Sequence, residues 1–533
     1  MKLPMMALVP ILSFYACESC NNGGGIGTII TSPDGGASQY YSELYPPNWT
    51  PDRPAVGGRF LHDFSYAGYH HGEAELPIVT GPVFDVTSYG AVNTDTGDQT
   101  AAFQAAIDAA EVAGGIVFVP AGIYRIDGML RVEASNVIIR GDGTASRLNF
   151  TKTDSVGDQA HLRFVGRRTV AAPIALTSDI ISRDHTLEVP AGHGLSVGDH
   201  VEIGWTITPD FIADHDMTGT WGAFNDTWQS FFQRTIVDID ETSTGAVITV
   251  DVPHRYDGLV RDGAAIKLRS GYLTECGLER IALTNAHDKD DAQDNDRNHL
   301  VRMDNVRDCW VDQVRTVHLH GEDDGHVQSG GIKIFQSKNV TIRDSGFHNA
   351  QNRLERGNGY LVEVSQVSDV LIDNVEATNG RHNFIQNWGF GATGIVFKDC
   401  YSEGSRHFSG PLAWPGLRAF SEFHHSLATA NLIDGGEWED GWKAENRGSY
   451  SSGAGFSATE NVFWNVGGNG KITSDQYGWG YIIGADDDMN VQISPGLGAV
   501  DGTPEDWVEE VPDNAVLTPQ SLYDSQLEKR LAQ

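Results

Sequence analysis

From about residue 298 the chain repeats itself, and that repetition restricts its fold more than any other feature. The segments HLVRMDNVRDCWVDQVRTV, GIKIFQSKNVTIRDSGF, YLVEVSQVSDVLIDNVEATN, NFIQNWGFGATGIVFKDCYS and AFSEFHHSLATANLIDGGEW share one pattern. Each has a short strand with two or three inward apolar residues, a small polar turn, then a second strand. The period is roughly 20-odd to 30-odd residues, which is the length of a solenoid repeat. A unit this small cannot bury its apolar face alone, so copies must stack into one continuous core. Short strands without intervening helices make that stack a parallel β-helix, and the handedness of parallel crossovers makes the coil right-handed. The expected class is all-β, a right-handed parallel β-helix with an N-terminal capping helix and a small antiparallel β insert.

The cap is read from residues 83–143. VFDVTSYGA is a strand and turn, and TDTGDQTAAFQAAIDAAEVAGG reads as a helix over 98–113. Asp98 or Thr100 can cap it, Phe103, Ala106, Ile107 and Ala110 form one face, and Gly114-Gly115 end it. A solenoid exposes unpaired strands at its end, which such a helix can cover. Short alternating strands follow in GIVFVPAGIYRI and MLRVEASNVIIRGDG. The run FDVTSYGAVNTDTGDQTAAFQAAIDAA, GGIVFVPAGIYRI and NVIIRGDG resembles the opening of the pectate-lyase superfamily, the rhamnogalacturonase-like right-handed β-helices. The resemblance covers about sixty residues. It implies the fold and a carbohydrate-active role, but the fold hosts lyases, hydrolases, epimerases and phage tailspikes, so it does not choose among them.

Residues 1–20 read as a signal peptide, with Lys2 ahead of a short apolar run. FYAC places Cys17 where a bacterial lipoprotein would carry its lipid anchor, and a Gly/Asn tract follows as a tether. The expected location is secreted, periplasmic or on the outer surface, with membrane contact only through that anchor. Residues 21–80 read as an irregular arm, 81–165 as the cap and first coils, 166–268 as a β-rich insert, 269–500 as the main coils and 501–533 as a tail. The aromatic cluster of 205–232 reads as the insert's own core. In the tail, Thr518 and Pro519 are expected to start a docking helix whose stripe is Leu522, Leu527 and Leu531. Cys276, Cys309 and Cys400 form no CxxC and read as small buried hydrophobes.

Acidic residues number 72 against 37 Lys plus Arg, a formal charge of −35. Long-range repulsion then excludes nucleic acid and anionic membrane as partners. An acidic glycan remains open, because Arg and His gather locally in the turns.

Stacking the repeats puts Val301, Ile332, Val362 and Ile385 in one inward column. The outward neighbours would be Arg302, Lys333, Glu363, Gln386 and Glu422, about 4.8 Å apart. Two positions on come Asp304, Phe335, Ser365, Trp388 and His424. Long turns at 318–330, 347–359, 379–383 and 403–418 add His348, Arg353, Arg356, Arg381, His382, Arg406, His407 and Trp414 beside this face. Convergent polar loops on a rigid scaffold mark a cleft.

Two chemistries suit these residues. Elimination on a uronic acid needs a cation for the carboxylate, a base for the C5 proton and an acid for the leaving oxygen. Arg353, Arg356 and Arg381 supply the cation, Lys333 or His382 the base, and Glu363 sits one rung from Lys333. Gln386, Trp388, His424, His348, Arg406, His407 and Trp414 would bind substrate. Glu363, then Gln366, then GRH in the next coil loosely resembles the chondroitinase-B and alginate-lyase branch. Gln366 stands where that branch has its Lys, so its base does not carry over. The alternative is hydrolysis by paired carboxylates, with Glu363 beside Asp324, Glu403 or Glu422. A third reading is a glycan-binding surface protein without turnover. Calcium is the one cofactor suggested, with Glu363 and Asp324 as ligands; the acidic run 288–296 lacks the Gly and Glu of an EF-hand loop.

Overall fold

The structure is a computed structural model and describes residues 27–30, 37–319, 324–407, 417–493 and 504–533. The signal segment, Cys17 and Trp414 lie outside the described residues, and of His407 only the backbone is described. The repeats coil into a parallel β-helix. One face is a ten-stranded parallel sheet running from Leu130–Val132 through Ala160–Val165, His299–Asp304, Gly330–Phe335, Tyr360–Ser365, His382–Gln386 and Ser421–Phe423 to Asn490–Gln492. The second strands of the repeats, Lys338–Arg343, Leu371–Asp373, Val396–Lys398 and Leu432–Asp434 among them, stack in register on another face. Val301, Ile332 and Val362 point inward as expected, and the core they enter runs unbroken from Val86 to Val491.

Polar residues in left-handed backbone make the tight turns between faces. Asn305, Gln336 and Gln366 occupy the same position of successive coils, with φ of 53°, 49° and 52°. Amide side chains tolerate this region through local hydrogen bonds, and Gln336 Nε2 donates to Gln366 Oε1 at 2.8 Å. Gln366 is therefore a turn residue, not a member of the outward face.

The capping helix is Thr100–Ala113, and its buried residues are the four of the expected face. Asp98 accepts from the Thr100 amide at 2.9 Å, and Gly114 ends the helix at φ 68°. At the other end the helix is Leu522–Leu531. Its cap is Ser521, not Thr518, because Ser521 Oγ accepts from the Asp524 amide. Leu522 is buried, whereas Leu531 is exposed, so the stripe is shorter than its leucines suggest. No helix of the described residues is long and apolar enough to cross a membrane. The three cysteines of the body are free and buried.

Between the early coils and the main stack, an antiparallel seven-stranded sheet is inserted, built on His200–Thr206, Trp228–Glu241, Gly245–Val250 and Ala265–Ser270. Its aromatic residues are its core: Trp205 stacks on Phe231 at 3.7 Å, with Trp221 and Phe224 buried nearby. Phe390, Leu427 and Phe456 of the coils complete that core, so the insert is built onto the helix rather than tethered to it.

Candidate active site

The ten-stranded face carries the reactive cluster. Lys333 pairs with Glu363 as expected, but Glu363 pairs with Ile385, and Ile385 with Glu422. The strand His382–Gln386 thus sits one residue away from the expected register. Phe384, not Ile385, takes the inward place beside Val362. A one-residue slip exchanges the two faces of a strand. Gln386 consequently points into the coil, fully buried, and donates to the carbonyl of His425 at 3.1 Å. It is not available to substrate. Trp388 is likewise displaced, and Asn387 takes the column beside Ser365.

Two carboxylates of the outward column that begins at Lys333 are separated by the buried Ile385. Glu363 is fully buried and accepts from Lys333 Nζ at 2.7 Å, His299 Nε2 at 2.8 Å and Asn387 Nδ2 at 3.1 Å, and also from Arg297. Burial alone would raise its pKa, but Lys333, Arg297 and His299 hold it well below the usual carboxylate range. Glu422 is paired with Arg447 at 2.8 Å, His382 at 3.2 Å and His424. Burial again acts upward, and Arg447, His382 and His424 outweigh it. Both groups are therefore fixed anions.

The start of the same strands adds the residues that can move protons. Tyr360 is paired with His382 in register, their rings 5.3 Å apart. The guanidinium groups of Arg297 and Arg381 stand 5.3 and 5.9 Å from the centroid of the Tyr360 ring. Burial raises the Tyr360 hydroxyl to about 12, so it stays protonated. His382 donates Nδ1–H to the Phe420 carbonyl at 2.7 Å, which leaves Nε2 as the basic nitrogen. Burial lowers its pKa to about 3 and keeps the ring neutral. A proton arriving at Nε2 would be held against Glu422. The expected columns did not include Tyr360; reading the first residue of each strand, His299 to Tyr360 to His382, would have found it.

The remaining candidates divide. Lys333 is present but locked in its ion pair, which makes it a poor base, although burial lowers its pKa. Arg381 NH1 donates to the Leu354 carbonyl at 2.9 Å, tying the 379–383 turn to the 352–358 turn. Arg356 lines a cleft of about 570 Å3 beside Arg297, together with Asp158, Asp294, Asp296 and Asn352. Arg353 bonds the Ala350 carbonyl, and Arg406 is exposed near it. His348 belongs to a different sheet, where it bonds Thr378, and it takes no part in this cluster.

Calcium at Glu363 and Asp324 is not supported by the geometry. Both Glu363 oxygens already accept from cationic or amide donors, and Asp324 is exposed and interacts with His326 instead. Groups that could hold a metal ion do occur among the described residues, His382, Glu422 and His424 being one and His70, Glu275 and Asp308 the other. Two nitrogens and one oxygen suit a transition metal better than calcium. The Arg447 guanidinium already lies between Glu422 and His424.

Residues 83–164 match the family described as rhamnogalacturonase A/epimerase, pectate lyase-like. A segment of 68 residues is 48% identical to the mannuronan C5-epimerase AlgE3 of Azotobacter vinelandii and 47% identical to AlgE5 of the same organism. The match spans 11% of this chain and only 4% and 7% of those epimerases' lengths. Among solved structures, the tailspike gp61 of Pseudomonas phage phi297 is similar over 78% of this chain and 67% of that one, with a TM-score of 0.50 and 13% identity. Coil, cap and matched segment agree: the chain is a right-handed parallel β-helix protein whose residues 83–164 are similar to the pectate lyase-like, rhamnogalacturonase A/epimerase family.

Proposed function

We propose that this carbohydrate-active protein is a polysaccharide lyase that cleaves a uronic-acid-containing glycan by β-elimination. The observation that carries the reading is the charge state of the cluster. Arg297 and Lys333 pair with Glu363 and Arg447 with Glu422, so both carboxylates are clamped as anions, and Arg381 stands over the Tyr360 ring beside them. A hydrolase needs one carboxyl group kept protonated as the acid, and neither Glu363 nor Glu422 meets that need. They also stand two rungs apart, about 10 Å along the sheet. The cation excess suits a substrate carboxylate, whose neutralisation acidifies the C5 proton.

In the proposed reaction Arg381 and Arg297 bind the uronate carboxylate. His382 Nε2 removes the C5 proton, and Glu422 stabilises the imidazolium that forms. The C5 electron pair becomes the C4–C5 double bond as the C4–oxygen bond breaks, and Tyr360 donates its proton to the departing oxygen. A second reading shares the first step. Reprotonation of C5 from the opposite face, without cleavage of the glycosidic bond, is epimerisation, and the 48% identity to a mannuronan C5-epimerase over 68 residues favours keeping it.

The test is incubation of the chain with size-defined oligouronates and neutral glycans. Rising absorbance of an unsaturated product marks the lyase. An altered C5 configuration by NMR at constant chain length marks the epimerase. New reducing ends without unsaturation refute both. Secretion or lipid anchoring at Cys17 is part of the same proposal and is tested by cell fractionation with Cys17→Ser.

A further inference from the structure

The left-handed turn position that holds Asn305, Gln336 and Gln366 in three successive coils holds Trp388 in the next, at φ 59°. Short polar side chains accept this backbone region; a large aromatic one does so only where its surroundings impose it. Trp388 is nevertheless 48% exposed, which makes it the most exposed tryptophan among the described residues. It gains little burial in return for a strained backbone. Its neighbours are specific. Asn387, the preceding residue, donates to Glu363, and the Trp388 ring lies 4.7 Å from that of His425, which follows the cluster residue His424. The Phe224 ring of the insert packs against it at 5.4 Å. Phe224 in turn packs on Phe390 and belongs to the insert's core.

We infer that Trp388, braced by Phe224 of the inserted sheet, is a stacking platform for a pyranose ring of the glycan at the edge of the reactive cluster. An indole face packs on the C–H face of a sugar ring, and an aromatic side chain held rigid from behind loses little freedom when it does so. The insert thereby acts as a wall of the substrate cleft, opposite the turns that bring Arg381 and Arg356. This rests on the glycan-cleaving reading for its ligand class, but not for its geometry: the platform binds a ring face and carries no step of the chemistry.

The experiment separates the two. Tryptophan fluorescence and binding are measured with oligomannuronate, oligogalacturonate and a neutral cello-oligosaccharide in the parent, Trp388→Phe, Trp388→Ala and His382→Ala. Thermal melts confirm folding. The platform predicts ligand-induced fluorescence change in the parent and in His382→Ala. It predicts an affinity loss of roughly three- to ten-fold in Trp388→Ala, with most of it restored in Trp388→Phe. In turnover the loss appears in KM rather than kcat. Unchanged affinity in a folded Trp388→Ala, or no fluorescence response to any of the three glycans, overturns the platform. Trp388-dependent binding with no turnover of any glycan overturns the lyase reading and leaves the platform standing.

Discussion

Asp369 is the point where three parts of the chain are locked together, so its removal should be costly in a way the structure quantifies. Its carboxylate is buried and accepts from Arg234 at 3.2 Å and Arg255 at 2.6 Å, and both guanidinium groups are wholly buried. Arg234 lies on a strand of the insert and also donates to the carbonyls of Val252 and Pro253. Arg255 donates to the Asp63 carbonyl of the N-terminal arm. Asp369→Ala removes the carboxylate that both buried guanidiniums contact, a loss of about 3–5 kcal/mol. How that appears on heating depends on what melts together. At about 2.1 cal/mol/K per residue, an insert of about 100 residues melting alone would drop by about 15–25 °C, whereas the whole chain melting as one unit would drop by about 3–5 °C. Because Phe390, Leu427 and Phe456 of the coils complete the insert's core, the smaller, single shift is expected. Calorimetry reads it directly. An early, separate transition would refute the shared core, and a melting point within about 1 °C of the parent would refute the ion-pair argument. Asp369→Asn keeps the acceptor but not the charge and should fall between the parent and Asp369→Ala.

Other outcomes follow from the cluster and the core. His382→Ala should lower turnover by roughly 100- to 10,000-fold with the melt unchanged, and Tyr360→Phe should lose a comparable factor, both read by product absorbance. Buried His161 and His254 have pKa values lowered to about 3 by desolvation. Below the ordinary histidine value of 6.5 the unfolded chain takes up protons that the folded chain refuses, so stability should fall as pH drops from about 6.5 towards 3. Replacing His161, which packs on Phe150, by Phe should flatten that slope in denaturant titrations at pH 5. Chelation should leave turnover unchanged, while added zinc should inhibit by entering His382, Glu422 and His424 in place of Arg447; zinc-insensitive turnover would argue against that geometry.

The coil was legible because its signal is redundant. Inward apolar residues recur in every repeat, so an error in one leaves the fold unchanged. The site is less forgiving. Outward side chains are identified only if each strand's register is known to the residue, and NFIQN offers two apolar residues that compete for the inward place. Ile385 is the natural choice by alternation, yet Phe384 takes the inward place beside Val362, and Ile385 is buried between two ion-paired carboxylates. Tyr360 was hidden for a related reason: an aromatic residue opening an apolar strand reads as core. Gln366, which stands where the resembled branch has its Lys, is a turn residue, and only its left-handed φ shows it.

Ile385 gives the cluster its division of labour. On one side Glu363 gathers Arg297, Lys333 and His299, and on the other Glu422 gathers Arg447, His382 and His424. Were the carboxylates on adjacent rungs, about 4.8 Å apart, their repulsion would raise one pKa and provide the protonated acid of a hydrolase. An apolar rung between them removes that coupling, and each anion is left to its own set of basic neighbours. Glu363 then positions charge for the substrate, and Glu422 supports the histidine that meets it. Ile385→Glu should therefore reverse the pattern by placing a third carboxylate between them, whose pKa must rise. Loss of activity at neutral pH with partial recovery in acid is the expected profile, and a profile superimposable on the parent's would show that the spacing of the carboxylates has no bearing on the chemistry.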